Sequence, residues 1–462
     1  MTTNRVAGSF RDPSGFLFRS DDKLLRQVNQ SYAEEFDALM ESGLYQILVD
    51  KGLLIPHQEV EVSSALTPDA YKVIQPQELP FISYPYEWSF SQLKAAARMT
   101  LRLQKLALRK GMTLKDASAY NIQFHLGRAV LIDSLSFERY QEGAPWVAYR
   151  QFCQHFLAPL ALMSLVDIRL GQLLRTNIDG IPLDLASQLL PWRTRLNAGL
   201  SLHIHLHARS QQRYAGKEVS GRAANMRMKP EALLMLIRGL DKVIQGLHYK
   251  PEGTAWAEYT SMTHYSDQAT EHKKRLVAEY LGSVKPKVVW DLGANVGVYS
   301  RVAAETADLV LAVDNDPAAV EMNVRTMMQE KQDKILPLLI DLTNPSPALG
   351  WASEERASLI DRAPADAILA LALIHHLAIS NNVPLENLAQ FFARLSPILI
   401  LEFVPKRDSQ TQMLLASRED IFDDYTEEGF EAAFGRYFNL LRKEPVEQTE
   451  RTLYLWERKR SL

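Results

Sequence analysis

Residues 288 to 300, VVWDLGANVGVYS, join a short apolar run to a turn that contains two glycines. The run VVW is typical of a buried strand, Asp291 closes it, and Gly293 and Gly297 flank the turn. Glycine at such positions lets a backbone approach a ligand closely. A strand that leads into this kind of turn indicates a cofactor site in an α/β fold, and the spacing of the glycines indicates which cofactor suits it.

That spacing argues against two common ligands. A dinucleotide turn requires G-x-G-x-x-G after a strand. Counting from Gly293, the second position is Asn295, and the one glycine that follows is Gly297. A phosphate-binding loop requires G-x-x-x-x-G-K-[ST], and this stretch has neither the lysine nor the spacing. The turn therefore suits a ligand without a pyrophosphate that has to sit on a helix N-terminus.

Residues 281 to 462 alternate between strand-like and helix-like patterns. The strand-like runs are VVWDL, LVLAVD, ILPLLID, AILALAL, ILILEFV and TLYLWER. Such alternation predicts a parallel sheet of the α/β class. FNLLRKEP precedes the last run with no room for a helix between them, which predicts a hairpin at the sheet edge. The expected fold is therefore a Rossmann-like sheet of seven strands.

The pattern acidic-x-Gly-x-x-x-Gly, followed by a second strand that ends in Asp314, resembles the class I S-adenosylmethionine (SAM) methyltransferases over residues 255 to 462. The resemblance implies that Asp314 binds the ribose and that Asp341 and Leu342 lie beside the adenine. The full set of cofactor-binding residues that it implies is Asp291, Gly293, Ala294, Asn295, Gly297, Asp314, Asn315, Asp341 and Leu342.

The methyl acceptor would approach the end of the fourth strand, where the sequence is ALALIHHL. Amino-directed methyltransferases often carry Asp/Asn-Pro-Pro-Tyr/Phe/Trp there, and this chain has His375 and His376 instead. Histidine can act as a base near neutral pH, which favours a hydroxyl or carbon acceptor. The predicted catalytic residues are His375, His376 and Glu402. The alternative is that the histidines form a turn in which one of them is packed.

A second motif lies in GMTLKDASAYNIQFHLGRAVLIDSLSFE, residues 111 to 138. Asp116 and Asn121, then a hairpin and Asp133, follow the order found in protein kinases and small-molecule phosphotransferases, where they serve ATP and Mg²⁺. The first part of the chain thus resembles a kinase-like fold, although it contains neither a glycine-rich phosphate loop nor a V-A-I-K strand. Lys23 or Arg26 would replace the missing lysine.

The resemblance to a kinase adds one further expectation. A helix acid, Glu34 or Glu35, would be the partner of the cation at position 23 or 26. Together, the two motifs resemble a group of bacterial methyltransferases related to nodulation proteins.

Composition limits the class of protein. Hydrophobic residues make up 47% and charged residues 23% of the 462, as in soluble globular proteins. The one cysteine, Cys153, excludes a disulfide framework, and with the absence of an apolar leader it predicts a cytoplasmic protein. No apolar run is long enough to span a membrane. The alternating histidines of LHIHLH have no carboxylate nearby, so no metal site is predicted.

Charge is unevenly distributed along the chain. Residues 191 to 250 carry seven arginines and four lysines against three acids, while the net charge of the whole chain is −3. This block suggests contact with an acidic molecule, although a solvated helical surface explains it as well. Basic residues without interleaved aromatics make nucleic acid an improbable partner.

The expected organisation has three parts: a kinase-like α+β region at 1–150, a mostly helical region at 151–254 and a SAM-dependent methyltransferase domain at 255–462. The expected function is methyl transfer to a small-molecule or glycan-type acceptor that the N-terminal part selects. One alternative is a bifunctional kinase and methyltransferase that acts on a saccharide or lipid-linked glycan. The other is a binding scaffold without catalysis. The sequence does not indicate the oligomeric state.

Overall fold

The computed structural model describes residues 3–207, 228–251, 266–416 and 418–460. The chain forms two compact units. The N-terminal unit is Met1–Lys250 together with Gly350–Arg356, and the C-terminal unit is Pro251–Leu349 with Ala357–Leu462. The first two regions expected from the sequence therefore share one unit up to residue 250, and the expected boundary at 254/255 lies outside the described residues.

The N-terminal unit contains an antiparallel sheet of five strands in the order β1-β2-β3-β5-β4. Strands β2 and β3 form a hairpin, with Asp21 in a left-handed conformation (φ 53°) at its turn. Two short antiparallel pairs, β6 with β9 and β7 with β8, follow. The strands are β1 (Thr3–Arg5), β2 (Gly15–Ser20), β3 (Lys23–Asn29), β4 (His57–Val60), β5 (Ala70–Pro76), β6 (Met112–Leu114), β7 (Ile122–His125), β8 (Arg128–Leu131) and β9 (Phe137–Arg139).

Helices of this unit lie between β3 and β4 and after β5. Gly43 separates the first two helices, because its φ of 69° is incompatible with a continuous right-handed helix. The helical segments are α1 (Ala33–Glu41), α2 (Leu44–Asp50), α3 (Phe90–Leu108), α4 (Tyr149–Phe152), a π-helix (Cys153–Leu157), α5 (Ala158–Leu165), α6 (Leu173–Thr176), α7 (Leu183–Leu189), α8 (Ala198–Leu200), a second π-helix (Ser201–His205) and α9 (Pro230–Gln245).

The long helix α3 begins with a side-chain cap at Ser89. The Ser89 hydroxyl accepts the backbone N–H of Gln92, and the Gln92 side chain accepts the backbone N–H of Ser89, which forms a capping box. The side chains of Leu93, Leu101 and Leu103 are at most 1% exposed, so the helix lies inside the core of this unit.

The C-terminal unit is built on a sheet of seven strands in the order β12-β11-β10-β13-β14-β16-β15. The first five in that order are parallel, and the last two form the antiparallel hairpin at the edge. The strands are β10 (Val288–Leu292), β11 (Leu309–Asp314), β12 (Ile335–Leu339), β13 (Ala367–Ala370), β14 (Ile398–Phe403), β15 (Phe438–Pro445) and β16 (Thr452–Arg458). The α/β class predicted from the sequence is confirmed.

Helices connect these strands. They are α10 (Asp267–Val284), α11 (Val298–Ala304), α12 (Pro317–Glu330), a π-helix (His376–Ser380), α13 (Leu385–Leu395), α14 (Ser409–Leu415) and α15 (Glu427–Phe434). The core lies on the sheet, where the central strands β10 and β13 contribute side chains such as Val289, Trp290 and Leu369 that are at most 1% exposed.

The chain order creates a crevice beside β10. From β10 the chain moves to β11 and β12 on one side and returns to β13 and β14 on the other. Ligands of open α/β sheets bind outside the carboxyl ends of the strands where the strand order reverses. That point lies between β10 and β13, so the turn after β10 is where the fold places a ligand.

Gly297 starts α11 in the left-handed region (φ 81°), and a Cβ atom there would lie 2.5 Å from both side-chain polar atoms of Asn323. Asn323 is 1% exposed and cannot move aside easily. We expect Gly297→Ala to lower the free energy of unfolding by about 1–3 kcal/mol, because it combines backbone strain with a buried clash. Urea unfolding followed by circular dichroism measures the change.

Gly282→Ala is the matched control. Gly282 lies in α10 with open space where a Cβ would be. Alanine there should raise stability by about 0.5–1 kcal/mol. Equal effects of the two substitutions would contradict the close packing behind the glycine turn.

Candidate functional site

The crevice of the C-terminal unit opens into a cavity of about 490 Å³. It lies at the carboxyl ends of β10, β11, β12 and β13, within the size range of small-molecule sites. Eight of the nine predicted cofactor residues line it, namely Asp291, Gly293, Ala294, Asn295, Asp314, Asn315, Asp341 and Leu342. Gly297, the ninth, packs against Asn323 behind the turn.

Backbone hydrogen bonds hold the turn after β10 against the end of β11. The carbonyl oxygen of Val313 accepts the N–H groups of Gly293 and Ala294 at 2.8 and 2.9 Å. Gly293 has a φ of 77°, and Asn295 has a φ of 49° although it carries a side chain. The Asn295 N–H donates to the Asp314 carboxylate at 2.7 Å. Strand order and turn shape together bring these residues to one wall.

The two aspartates at the strand ends have different surroundings. Asp291 is 2% exposed and accepts the Ser300 hydroxyl at 2.6 Å, and burial raises the pKa of Asp291 to about 6. The second oxygen of Asp314 accepts the N–H of Asp316 at 2.9 Å, so both of its oxygens are oriented by the backbone. Burial also raises the pKa of Asp314. Asp291 thus supports the turn, and Asp314 presents an oriented carboxylate to the cavity.

On the adenine side of the prediction, Asp341 follows the end of β12. Its Oδ1 accepts the N–H and the hydroxyl of Thr343 at 2.8 and 2.7 Å, which fixes the loop. Ile340 and Leu342 contribute apolar surface to the cavity wall. The wall therefore offers both an apolar face and a fixed carboxylate, although the role of these residues in binding a cofactor stays a prediction.

The two predicted histidines lie side by side but have different surroundings. His376 starts a π-helix and lines the cavity. His375 is fully buried, and among the described residues neither of its ring nitrogens has a hydrogen-bond partner. The two ring centroids are 4.1 Å apart. Burial lowers the pKa of His376 to about 4, with a smaller effect from the positive charge of Arg451. His376 is therefore neutral at pH 7, and His375 does not line the cavity, while a catalytic role for either histidine stays a prediction.

Glu402 does not face the crevice as the sequence suggested. It is 0% exposed, and its carboxylate lies 2.6 Å from the ammonium group of Lys273. The guanidinium of Arg451 is 3.9 Å from its other oxygen. Lys273 from α10 lines the cavity, whereas Glu402, which pairs with it, does not.

Three further cavity residues, Lys273, Tyr299 and Arg451, were not predicted from the sequence. Lys273 lies 4.6 Å from the centroid of the Tyr299 ring, and both line the cavity together with Arg451. Arg451 is held by Asp408 through contacts of 2.8 and 3.2 Å. These side chains come from distant points of the chain with no shared motif, and only Tyr299 belongs to the glycine-turn stretch.

The predicted phosphotransfer residues of the N-terminal unit all have protein partners. Asp116 accepts the N–H of Ser118 and the side-chain amide of Gln151, both at 2.8 Å. Asn121 donates its amide to the Ser136 hydroxyl at 3.3 Å. Asp133 lies 2.7 Å from the guanidinium of Arg26.

The expected cation–glutamate pair is not formed. Glu34 and Glu35 instead contact Arg139, at 2.6 and 3.0 Å. Because these acids bond a residue that follows the hairpin, they do not hold the cation at position 26.

The histidine-rich segment packs by hydrogen bonding. His203 contacts the Tyr149 hydroxyl at 2.7 Å, and His205 contacts the hydroxyls of Ser187 and Thr194 at 2.7 and 2.9 Å. Within the described ranges, no group of three metal-ligating side chains has the arrangement of a metal site. Much of the basic block, residues 208 to 227, lies outside the described residues.

No helix in the described ranges has both the length and the apolar character needed to cross a membrane.

The Lys273–Glu402 pair generates a stability prediction. Replacing Lys273 by methionine removes the ammonium group 2.6 Å from a fully buried carboxylate and leaves the guanidinium of Arg451 at 3.9 Å, which should lower the free energy of unfolding by about 3–5 kcal/mol. Adding Glu402→Gln removes the buried charge and should restore a large part of the loss. Urea unfolding of the single and double variants measures both steps.

Lys274→Met is the control for this prediction. Lys274 is the next residue of α10, and its pair with Glu271 is exposed. Exposed pairs contribute about 0–1 kcal/mol. If the two lysine variants lost equal stability, the buried pair would not have the assigned importance.

Comparison with known proteins adds a relative over nearly the full length. No protein-family model matches the chain. Among solved structures, the N-methyltransferase NodS of Bradyrhizobium japonicum WM9 is 10% identical with a TM-score of 0.32 over 42% of this chain and 98% of NodS. Magnesium protoporphyrin IX methyltransferase (ChlM) of Synechocystis PCC 6803 with bound SAM is 16% identical with a TM-score of 0.30 over 46% of this chain and 88% of ChlM. Scores of this size decide neither fold nor function.

Sequence identity is more informative. Nodulation protein NoeA of Rhizobium meliloti strain 1021 is 39% identical over 460 residues, which cover 98% of this chain and 96% of NoeA. Such identity over the whole length of both chains implies a shared fold in both units. The chain therefore belongs to the family of nodulation protein NoeA.

Proposed function

We propose that this protein is a SAM-dependent methyltransferase whose active site is the crevice of the C-terminal unit. One observation carries the proposal. A glycine turn after β10, an oriented carboxylate after β11 and an apolar loop after β12 line a single cavity of about 490 Å³. This set suits a ligand that combines an amino-acid part, a ribose and an adenine.

The cavity residues fit SAM by their chemistry. The backbone of Gly293 has no side chain that would block the methionine part, and Asp314 has further lone pairs for the two ribose hydroxyls. Ile340 and Leu342 offer the adenine an apolar surface. When bound, SAM supplies a methyl group on a sulfonium centre that is reactive toward nucleophiles.

The other wall of the cavity would receive the acceptor. Thr270, Tyr299, His376 and Asn381 also line the cavity and give it hydroxyl, imidazole and amide groups. Groups of this kind suit a polar small molecule or a glycan with several hydroxyls. Neutral His376 would accept the proton of an acceptor hydroxyl, and the crevice would hold that hydroxyl in line for transfer.

Cationic side chains also belong to this wall. Lys273, Lys274 and Arg451 line the cavity, and each of them has an acidic partner, namely Glu402, Glu271 and Asp408. An acidic group on the acceptor would therefore meet cations that are already partly compensated. The proposed acceptor is a hydroxyl or carbon nucleophile, and a location in the cytoplasm stays a prediction.

SAM binding tests the proposal directly. We expect calorimetric titration of the full-length protein to show micromolar affinity, about −8 kcal/mol. Asp314→Ala should remove most of this binding, because the ribose hydroxyls lose their acceptor. Asp308→Ala, at the opposite and exposed end of the same strand, should bind SAM like the wild type.

A SAM titration without binding would contradict the proposal. If the folded wild type binds no SAM, the methyltransferase proposal is wrong and a scaffold without catalysis becomes the better explanation. If Asp314→Ala binds as well as Asp308→Ala, the ligand lies outside the crevice.

The protonation state of His376 gives a second prediction. With a folded-state pKa of about 4 against an ordinary value of 6.5, His376 should stay neutral between pH 5.5 and 8. Proton NMR should show an imidazole signal that does not shift over this range and that is absent in His376→Asn. A signal that titrates near pH 6.5 would contradict the buried environment.

The same pKa difference affects stability. Below pH 6.5 the unfolded chain binds a proton that folded His376 does not bind, so stability falls as the pH decreases toward 4. His376→Asn should therefore reduce the loss of melting temperature between pH 7 and pH 5.

A further inference from the structure

The motif of Asp116, Asn121 and Asp133 raises the question of whether the N-terminal unit binds Mg²⁺ and ATP. In phosphotransferases the second aspartate and the asparagine hold the metal, and a cation from the sheet contacts the phosphates. The surroundings of Asp133 in this protein decide how far that scheme applies.

Asp133 already has a cation of its own. Arg26 extends from β3 and is 8% exposed, and its Nη1 lies 2.7 Å from Asp133 Oδ1. The same oxygen accepts the N–H of Leu135 at 2.8 Å. The side chain of Asp133 is 13% exposed, so this ion pair lies mostly out of water. A guanidinium therefore lies against Oδ1 of Asp133, and its positive charge opposes a cation at this carboxylate.

Two further charged residues extend this pair. Asp12, in the segment before β2, lies 3.7 Å from Nη2 of Arg26 and 3.5 Å from Nζ of Lys115. Lys115 also donates to the Ser14 hydroxyl at 2.5 Å and lies 4.6 Å from the centroid of the Tyr32 ring. We call Asp12, Arg26, Lys115 and Asp133 the internal ion cluster. Its two cations and two anions balance, and it ties the segment before β2 to the residue that precedes Asp116.

The remaining oxygen donors do not fit a metal either. Mg²⁺ requires oxygen ligands in near-octahedral geometry. Asp116 Oδ1 is taken by Ser118 and Gln151, and the described residues contain no group of three His, Cys, Asp or Glu side chains that could hold a metal ion. The donor set of this unit therefore disagrees with the metal and nucleotide that its motif implies.

We infer that Arg26 is the permanent counter-ion of Asp133 and that the internal ion cluster replaces Mg²⁺-ATP in the N-terminal unit. The unit is then a binding or structural module that does not transfer phosphate. This inference does not depend on methyl transfer by the C-terminal unit, and it removes the bifunctional alternative.

Nucleotide binding is the first test. The melting temperature of the full-length protein is measured with millimolar ATP, once with excess Mg²⁺ and once with EDTA, and each condition is referred to a sample without ATP. The difference between the Mg²⁺ and EDTA shifts is the readout, so metal-independent binding of the adenosine part cancels. We expect no difference for the wild type. A Mg²⁺-dependent stabilisation that Asp133→Asn abolishes would overturn the inference.

A double-mutant cycle tests the role of Arg26 itself. Arg26→Met should lower the melting temperature strongly, because Asp133 keeps a mostly buried charge without its cation. Arg26→Met combined with Asp133→Asn should be more stable than Arg26→Met alone. If the single variant does not fold, recovery of a folded protein in the double variant is the same result.

The control is Arg139→Met. Arg139 also pairs with acids of this unit, but 53% of its side chain is exposed, so the change in melting temperature should be small. Additive effects of the Arg26 and Asp133 substitutions would contradict the pairing. So would an Arg26→Met protein that is as stable as Arg139→Met.

Discussion

The hydrogen bonds between the turn after β10 and the end of β11 organise the proposed active site. One carbonyl oxygen, that of Val313, accepts two consecutive N–H groups of the turn, and the carboxylate of Asp314 accepts a third from Asn295. The turn and the acidic strand end thereby become one rigid wall. Positive φ angles at Gly293 and Gly297 permit this geometry, so the glycine spacing, the strand order and the position of Asp314 depend on one another.

Buried charges in both units are compensated inside the protein. In the C-terminal unit Lys273 neutralises Glu402 behind the cavity, and in the N-terminal unit Arg26 neutralises Asp133. A buried charge is tolerated when a partner of opposite sign lies close to it. The two ion pairs differ in what they imply for the chemistry of their surroundings. The first pair lies at the wall of an open cavity, whereas the second places a positive charge against one carboxylate oxygen of the predicted phosphotransfer motif.

Much of the fold follows from local patterns. The apolar runs located the strands β10 to β14 and the edge hairpin. These local patterns did not predict that His375 and Glu402 are buried away from the cavity. Whether a side chain at a strand end reaches the cavity depends on what packs from other elements, and here Lys273 from α10 lines the cavity and pairs with Glu402. The pairing of Arg26 with Asp133 could not be predicted from local patterns either, because the two residues are more than a hundred positions apart.

The sequence by itself determined the order of strands and helices, the glycine turn, the acidic strand ends and membership of the NoeA family. These features are local or are read from identity over the whole chain. Only the tertiary structure decided which titratable groups are accessible and which are paired. It left His376 at the cavity wall, enclosed His375, and gave Glu402 and Asp133 their internal cations. The physical reason is that burial and ion pairing depend on distances between residues far apart in the chain, and sequence patterns do not contain those distances.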